Sequence, residues 1–355
     1  IGSGPAGLFA ALTLAKAGYK PVIFERGKCV EKRTEEIKKF WETGELDPEC
    51  NVQFGEGGAG TFSDGKLTTR VKDLRCKDVL SEFVDSGAPE DIAYNYKPHI
   101  GTDILKRVVV NLRNKITALG GEVNFSSKLT GIEAEGGTLK SITINDSIKV
   151  ECEVLVLALG HSARDTIEML IKSGVLMTQK PFAVGFRIEH RQLMIDEAQY
   201  GKFASHPKLR AADYMLTFHS KKYDRPCYTF CMCPGGIVVA AASETGRVVT
   251  NGMSEYARDK ENANSALCGV TCKDFKGSSP MAGVEFQRML EENAFRLGGG
   301  KYAAPVQRVD DFIAGRVSKK TGNVNPSYTR GWKFADLNEC VPQEIAAVIK
   351  EALVN

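Results

Sequence analysis

"IGSGPAGLFAALTLAKAGYKPVIFERG", residues 1–27, decides the fold. It reads as turn, helix and strand. Leu8, Leu12 and Ala15 recur at helical spacing, Gly18 stands at the helix C-cap, and Pro21 to Glu25 form a short apolar strand. Gly2-x-Gly4-x-x-Gly7 opens the helix, with Pro5 near its first position and Ala6 inside the turn. In such a motif the first glycine makes the tight turn and the second admits a pyrophosphate to the backbone. The third lets helix and strand pack closely, and the helix N-terminus faces the phosphates. Glu25 follows Gly7 by eighteen residues, near the roughly twenty expected for a carboxylate that holds the adenosine ribose hydroxyls. A carboxylate there repels a 2′-phosphate, so the stretch predicts a dinucleotide site that disfavours NADP. Ile1 runs straight into the glycine turn with no strand written before it. The strand that would precede it is central in a doubly wound sheet, so a chain beginning at Ile1 is expected to hold its dinucleotide weakly or not at all.

Outward from this stretch, a charged helix is predicted from about Val30 to Trp41, followed by the glycine-rich run "GEGGAGTFSDGKL", residues 55–67. Five glycines in thirteen positions lose much backbone entropy on folding, and a mobile surface loop is the plain alternative to a functional one. Ile104, Val108, Leu112 and Ile116 predict another helix, ending at Gly120-Gly121 and feeding the strand "EVNFS". Lys128 to Glu151 reads as a small meander. "EVLVLALG", 153–160, is apolar throughout, as a central strand buried on both faces would be. Ser162 to Asp165 reads as a capping box for a helix over Ala163–Lys172. Past about residue 175 the pattern changes. "FAVGFRIEH" alternates, with Phe182, Val184, Phe186 and Ile188 on one face, and "CYTFCMCPGGIVVAAAS" reads as a hairpin around Pro234-Gly235-Gly236.

Composition bounds the rest. The 355 residues are 43% hydrophobic and 26% charged, enough for about two domains of an ordinary globular protein. A net charge of +3 gives little support for a nucleic-acid or membrane partner, and no apolar run has the length of a membrane span. The ten cysteines, with no signal-peptide pattern, read as reduced thiols of a cytoplasmic protein. Oligomeric state is not readable.

The order glycine turn, Glu25-Arg26, "EVNFS", meander and "LVLALGH" is characteristic of flavoproteins of the glutathione-reductase type, in which a late apolar strand ending Ala-x-Gly passes beside FAD. Ala158-Leu159-Gly160 looks like that element. More closely, "NVQFGEGGAGTFSDGKLTTR", "YKPHIGTD", "LALGHSARDT", "FRIEH", "YTFCMCPGG", "ENANSAL" and "GVEFQR" together resemble an uncharacterised family of bacterial FAD-dependent dehydrogenases. The resemblance implies an α/β fold. A Rossmann-like FAD-binding domain with a β-meander would span 1–174, an inserted α+β antiparallel-sheet domain 175–335, and a helix over 336–355 would lead back to the FAD domain. It also implies a further glycine-rich segment beyond Asn355.

The expected FAD-binding residues are Gly2, Gly4, Pro5, Ala6, Gly7, Glu25, Arg26, Gly57, Gly58, Gly60, Thr61, Leu129, Ala158, Leu159 and Gly160, with a hydroxyl from Ser63. No second GxGxxG occurs, so the reductant would be the substrate itself or a transiently docked NAD(P)H. Candidates on the substrate side are His161, Asp64, Lys66 and Arg187, each of which is equally an ordinary polar side chain. Cys231 and Cys233, two apart on a predicted strand, could form a redox dithiol, or join Cys227, Cys268 or Cys272 on a metal. An i, i+2 disulfide is strained and the spacing of zinc or iron–sulfur ligands is absent, so buried apolar thiols are the plainer reading and no metal is expected. The expected function is an FAD-dependent oxidoreductase of a small-molecule substrate. A flavin-dependent tRNA-modifying enzyme and a non-catalytic FAD-binding protein are the alternatives.

Overall fold

The structure is a computed structural model describing residues 1–69, 71–270 and 277–355. It divides into two compact units, Ile1–Phe40 with Glu45–Met177, and Trp41–Gly44 with Thr178–Asn355.

The first unit begins with helix α1 (Pro5–Lys16) and strand β1 (Val22–Phe24). Helices α2 (Val30–Thr43), α3 (Arg75–Asp85) and α4 (Thr102–Ala118) follow, and the chain then enters β2 (Glu122–Asn124), which pairs parallel with β1. The apolar stripe anticipated on α4 exists. Val108, Leu112 and Ile116 are buried with Leu8 and Leu12 of α1 and with Ile23 of β1. Strands β3 (Leu129–Glu135), β4 (Thr138–Ile144) and β5 (Ile148–Glu151) form the expected antiparallel meander, with Leu129, Ile142 and Ile144 at its core. Helix α5 (Arg164–Lys172) closes the unit.

Two expectations fail here. Residues 153–160 are not a strand buried on both faces. They run parallel beside the chain start, with the Ile1 amine donating to the Val156 carbonyl (2.8 Å) and the Ala158 amide to the Ile1 carbonyl (2.8 Å). Leu155 alone joins the meander core, whereas Val154 is 84% exposed, because among the described residues no element packs over that side. Nor does a capping box form at α5. The Ser162 hydroxyl lies 2.9 Å from His161 Nδ1 instead of bonding the helix amides, Ala163 occupies the N-cap position, and Arg26 takes the Asp165 carboxylate.

In the second unit β6 (Ala183–Arg191) leads into helix α6 (Gln192–Tyr200). Strands β7 (Thr217–Ser220), β8 (Arg225–Cys233), β9 (Ile237–Ala240), β10 (Thr250–Met253) and β11 (Asn262–Val270) follow. The main sheet is antiparallel, in the order β6-β11-β8-β7. Helices α7 (Ala282–Leu297), α8 (Val309–Ala314) and α9 (Gln343–Val354) and the short parallel pair β12 (Ala304–Val306) and β13 (Trp332–Phe334) complete the unit. Val184, Phe186 and Leu267 pack on Phe312 and on Ile345 and Ile349 of α9, so residues 336–355 belong to this unit's core. The hairpin expected around Pro234 is absent, since β9 pairs with β10 and not with β8. The turn is diverted because its amides serve other elements. Gly235 donates to Gln192 Oε1 (2.7 Å) and Gly236 to the Asn262 carbonyl (2.8 Å).

Candidate functional site

In the first unit a cavity of about 520 Å³ opens at the N-terminus of α1. Of the residues expected to bind a dinucleotide, Gly2, Gly4, Pro5, Ala6, Glu25, Arg26, Gly58, Gly60, Leu129, Ala158, Leu159 and Gly160 line it, and so does His161. The first turn of α1 carries no acidic residue and no side-chain cap, which leaves its amides available to an anion. The glycines sort into two groups. A Cβ on Gly2 would lie 2.4 Å from the Ala158 carbonyl oxygen and one on Gly7 1.9 Å from the Gly2 carbonyl oxygen, so these two are required by the protein's own packing. A Cβ on Gly60 or Gly160 would meet nothing within 4 Å, and one on Gly4 only Gly58 Cα at 3.7 Å. These three keep the cavity wall open.

Glu25 stands at the C-terminal end of β1, 5% exposed. Its Oε2 accepts from the Ser3 amide (2.8 Å) and the Ser3 hydroxyl (2.9 Å). Its Oε1 accepts from the amides of Gly27 (2.9 Å) and Gly55 (3.0 Å). The carboxylate therefore ties the glycine turn to the glycine-rich run, with all of about four acceptor positions used.

The run itself is held by a residue that the sequence reading passed over. Arg33 lies on the buried stripe of α2 with Val30, Ile37 and Phe40. Its guanidinium donates to five carbonyls, those of Asn51 (2.9 Å), Val52 (3.0 Å), Gly55 (3.3 Å), Glu56 (2.6 Å) and Gly58 (2.9 Å). Burial pulls its pKa down to about 10, which still leaves it charged at neutral pH. The signal was available: an arginine on an otherwise apolar helical stripe needs buried acceptors, and a glycine-rich loop offers bare carbonyls. Glu56 faces the other way. Its Oε2 accepts from the Val30 amide (2.8 Å) and pairs with Arg113 (3.2 Å), its Oε1 is buried with no hydrogen-bond partner, and burial raises its pKa to about 7.

At the rim, Arg26 bonds Asp165 through both terminal nitrogens (2.9 and 2.8 Å) and Glu49 through Nε (2.7 Å), above the Phe54 ring. Lys128 joins both acids, at 2.6 Å from Asp165 and 3.0 Å from Glu49. Burial works against ionising Asp165, yet Arg26 and Lys128 hold its pKa far below the usual carboxylate range.

The other candidates lie elsewhere. Thr61 is fully buried, and a Cβ on Gly57 would sit 2.0 Å from its hydroxyl, so both face the loop interior. The Ser63 hydroxyl bonds the Gly60 carbonyl (2.8 Å). Asp64, 1% exposed, pairs with Lys66 (3.2 Å), on a segment bridged to His99. Arg187, Cys231 and Cys233 belong to the second unit. The β8–β11 register shifts between Asn264 and Ala266, and Cys231 has φ +48°, so the regular alternation that would place Cys231 and Cys233 on one face is broken. Burial pushes the Cys227 and Cys268 thiols up to about 11, away from the thiolate that redox or metal chemistry needs. Among the described residues no group of three or more His, Cys, Asp or Glu could hold a metal ion; Cys272 lies outside them. Among the described residues no helix is long and apolar enough to cross a membrane.

Residues 181–355 match the family model "FAD-dependent protein, C-terminal domain-like". An uncharacterized protein of Clostridium beijerinckii is 59% identical over 356 residues, covering 100% of this chain and 67% of the relative. Among solved structures, L-amino acid deaminase from Proteus vulgaris is 13% identical with a TM-score of 0.28, over 54% of this chain and 51% of that one. CtdE in complex with FAD is 13% identical with a TM-score of 0.31, over 78% and 60%. The amino acid oxidase NikD is 12% identical with a TM-score of 0.34, over 77% and 70%. The chain thus spans about half to 70% of those solved chains. Likeness at this level says nothing of substrate. Residues 1–192 match the pyridine nucleotide-disulphide oxidoreductase model, which is more than half of the chain, and the protein belongs to that family as an FAD-dependent member.

Proposed function

We propose that the protein is an FAD-dependent oxidoreductase acting on a small-molecule substrate, with FAD held in the first-unit cavity. The observation that carries this reading is the open wall made by Gly4, Gly60 and Gly160 beside the uncapped start of α1. Bound FAD supplies hydride or electron transfer. The chain supplies position and charge. The amides of Ala6 and Gly7 face the pyrophosphate, where the helix start favours negative charge. Leu129 and the Ala158-Leu159-Gly160 backbone make the apolar and planar parts of the wall. Glu25 fixes the turn and the run around the cofactor. The Ser3 hydroxyl, the one donor of the four that rotates away without moving the backbone, would leave Glu25 free to hold a ribose hydroxyl. Arg26, locked by two acids, is a rim post with its charge already spent. His161 lines the cavity, and we assign it any proton transfer there.

We assign substrate recognition to the second unit and place the protein in the cytoplasm, in keeping with its ten cysteines. A transiently docked nicotinamide is our choice of reductant, in line with the family match. The test is the visible absorption spectrum of the purified protein before and after incubation with FAD, with released pigment identified. A flavin spectrum from stoichiometric FAD supports the reading. A protein that includes the strand expected before Ile1, and that still takes up no FAD, removes it.

A further inference from the structure

The second unit contains a pocket of about 1050 Å³, lined on its apolar side by Phe186, Leu267, Val306, Phe312 and Ile313. Arg187 of the edge strand β6 also lines it. This half-buried guanidinium has only neutral acceptors, and both meet one nitrogen. Nη1 donates to Asn264 Oδ1 (2.6 Å) and to the Cys231 carbonyl (3.4 Å). A Cβ on Gly252 would lie 2.4 Å from Nη1, so β10 closes that side. Nε and Nη2 have no hydrogen-bond acceptor among the described residues. Asn264 is fully buried, and its Nδ2, beside the oxygen that holds Arg187, is a second donor with no partner.

Nearby charges do not neutralise this arginine. Glu189 spends its oxygens on Ser327, at the amide (3.1 and 3.2 Å) and the hydroxyl (2.5 Å), and on Asn262 Nδ2 (3.3 Å). Arg308 and Asp310 pair with each other (2.8 Å). Lys320, exposed at the rim, adds a second cation with no carboxylate within ion-pair distance among the described residues. Arg187 is half-buried, so Nε and Nη2 are left to solvent, and a planar two-oxygen anion matches their fork.

We propose that this pocket binds an organic carboxylate with an apolar body, the carboxylate on Arg187 and the body on the Phe186–Phe312 side. The site lies wholly within the second unit and stands whether or not the first binds FAD.

The probe pair is octanoate and octanamide, titrated calorimetrically into the full chain. The acid is expected to bind about tenfold or more tighter than the amide, from one charged hydrogen-bonded contact. Raising the ionic strength should weaken octanoate and leave octanamide unchanged. Arg187→Gln should bring the two probes to equal affinity, and Ile313→Trp should abolish both by filling the pocket. If Arg187→Gln fails to fold by circular dichroism, Lys320→Gln, on the exposed rim, replaces it, with a roughly threefold loss of octanoate affinity expected at the low end for an exposed charge pair. Equal affinity of acid and amide in the unaltered protein, no binding of either, a preference that survives Arg187→Gln, or an octanoate affinity unmoved by Lys320→Gln would overturn the proposal.

Discussion

Arg33 and Arg187 are a natural pair to compare. Arg33 stands on the buried stripe of α2 and Arg187 between Phe186 and Ile188 of β6, and each reaches carbonyl oxygens instead of carboxylates. The first is fully buried and spends its guanidinium on five carbonyls of the glycine-rich run and the residues just before it. The second is half-buried and uses a single nitrogen. The difference teaches how to read a cation away from acids. When its donors are consumed by the chain it builds the fold, and when donors are left over beside an apolar pocket it points to a ligand.

The largest effect should come from breaking the first member of the pair. Arg33→Met keeps the apolar stem and leaves five carbonyls without their donor, which should cost about 4 kcal/mol of unfolding free energy in a urea titration. Arg33→Lys should recover little, because an ammonium lacks the planar fork. Full stability of Arg33→Met would mean that the loop stands without it and that the contrast with Arg187 is empty.

Glu56 sharpens the comparison from the acid side, since it shares the run with Arg33. Its partners are the Val30 amide and Arg113, with Glu31 and Arg33 as the other charges acting on it. A carboxyl raised from its ordinary value of 4.5 to about 7 is protonated in the folded chain where the unfolded chain is ionised. The folded state thus binds the extra proton, and stability contributed by Glu56 is full below about pH 4.5 and falls as pH rises to about 7. The loss is on the order of 2–3 kcal/mol. Glu56→Gln should flatten that fall in melting temperature measured across the same pH range. An unaltered pH profile would place the titration elsewhere.

Gly57 and Gly60 allow a finer cut through the same segment. Gly57 has φ +82°, and an added methyl would strike the Thr61 hydroxyl at 2.0 Å. Gly57→Ala should therefore destabilise by about 2 kcal/mol in the same urea titration, from left-handed backbone strain plus overpacking.

Much of this was legible beforehand. Helix α1, β1, α4 and the meander follow from periodicity and from the glycines that end them, because local pattern and tertiary burial agree there. The run 153–160 misled because apolar composition states a need for burial without supplying a partner. The stretch around Pro234 misled because turn residues mark where a chain bends and not which strand receives it. Arg33 and Glu25 were hidden in part for a related reason. A sequence shows which residue is charged, whereas the five carbonyls and four donors that absorb those charges come together only in the folded chain.

Gly60→Ala is the smallest change in stability and the one that best divides fold from function. The added methyl meets nothing within 4 Å, and the backbone there needs no left-handed conformation, so the unfolding free energy in a urea titration should change by less than about 0.5 kcal/mol. FAD uptake, followed by quenching of flavin fluorescence, should nonetheless weaken about tenfold, because a single methyl on a wall that must approach the cofactor closely costs on the order of 1–3 kcal/mol. Unchanged uptake would mean that the open wall at Gly60 faces solvent and not the flavin nucleotide. The glycine-rich run would then owe its composition wholly to Arg33 and to the packing of Gly55, Gly57 and Gly58. A loss of uptake at full stability would assign the two halves of the run to different tasks, the buried glycines to the arginine and the open one to the cofactor.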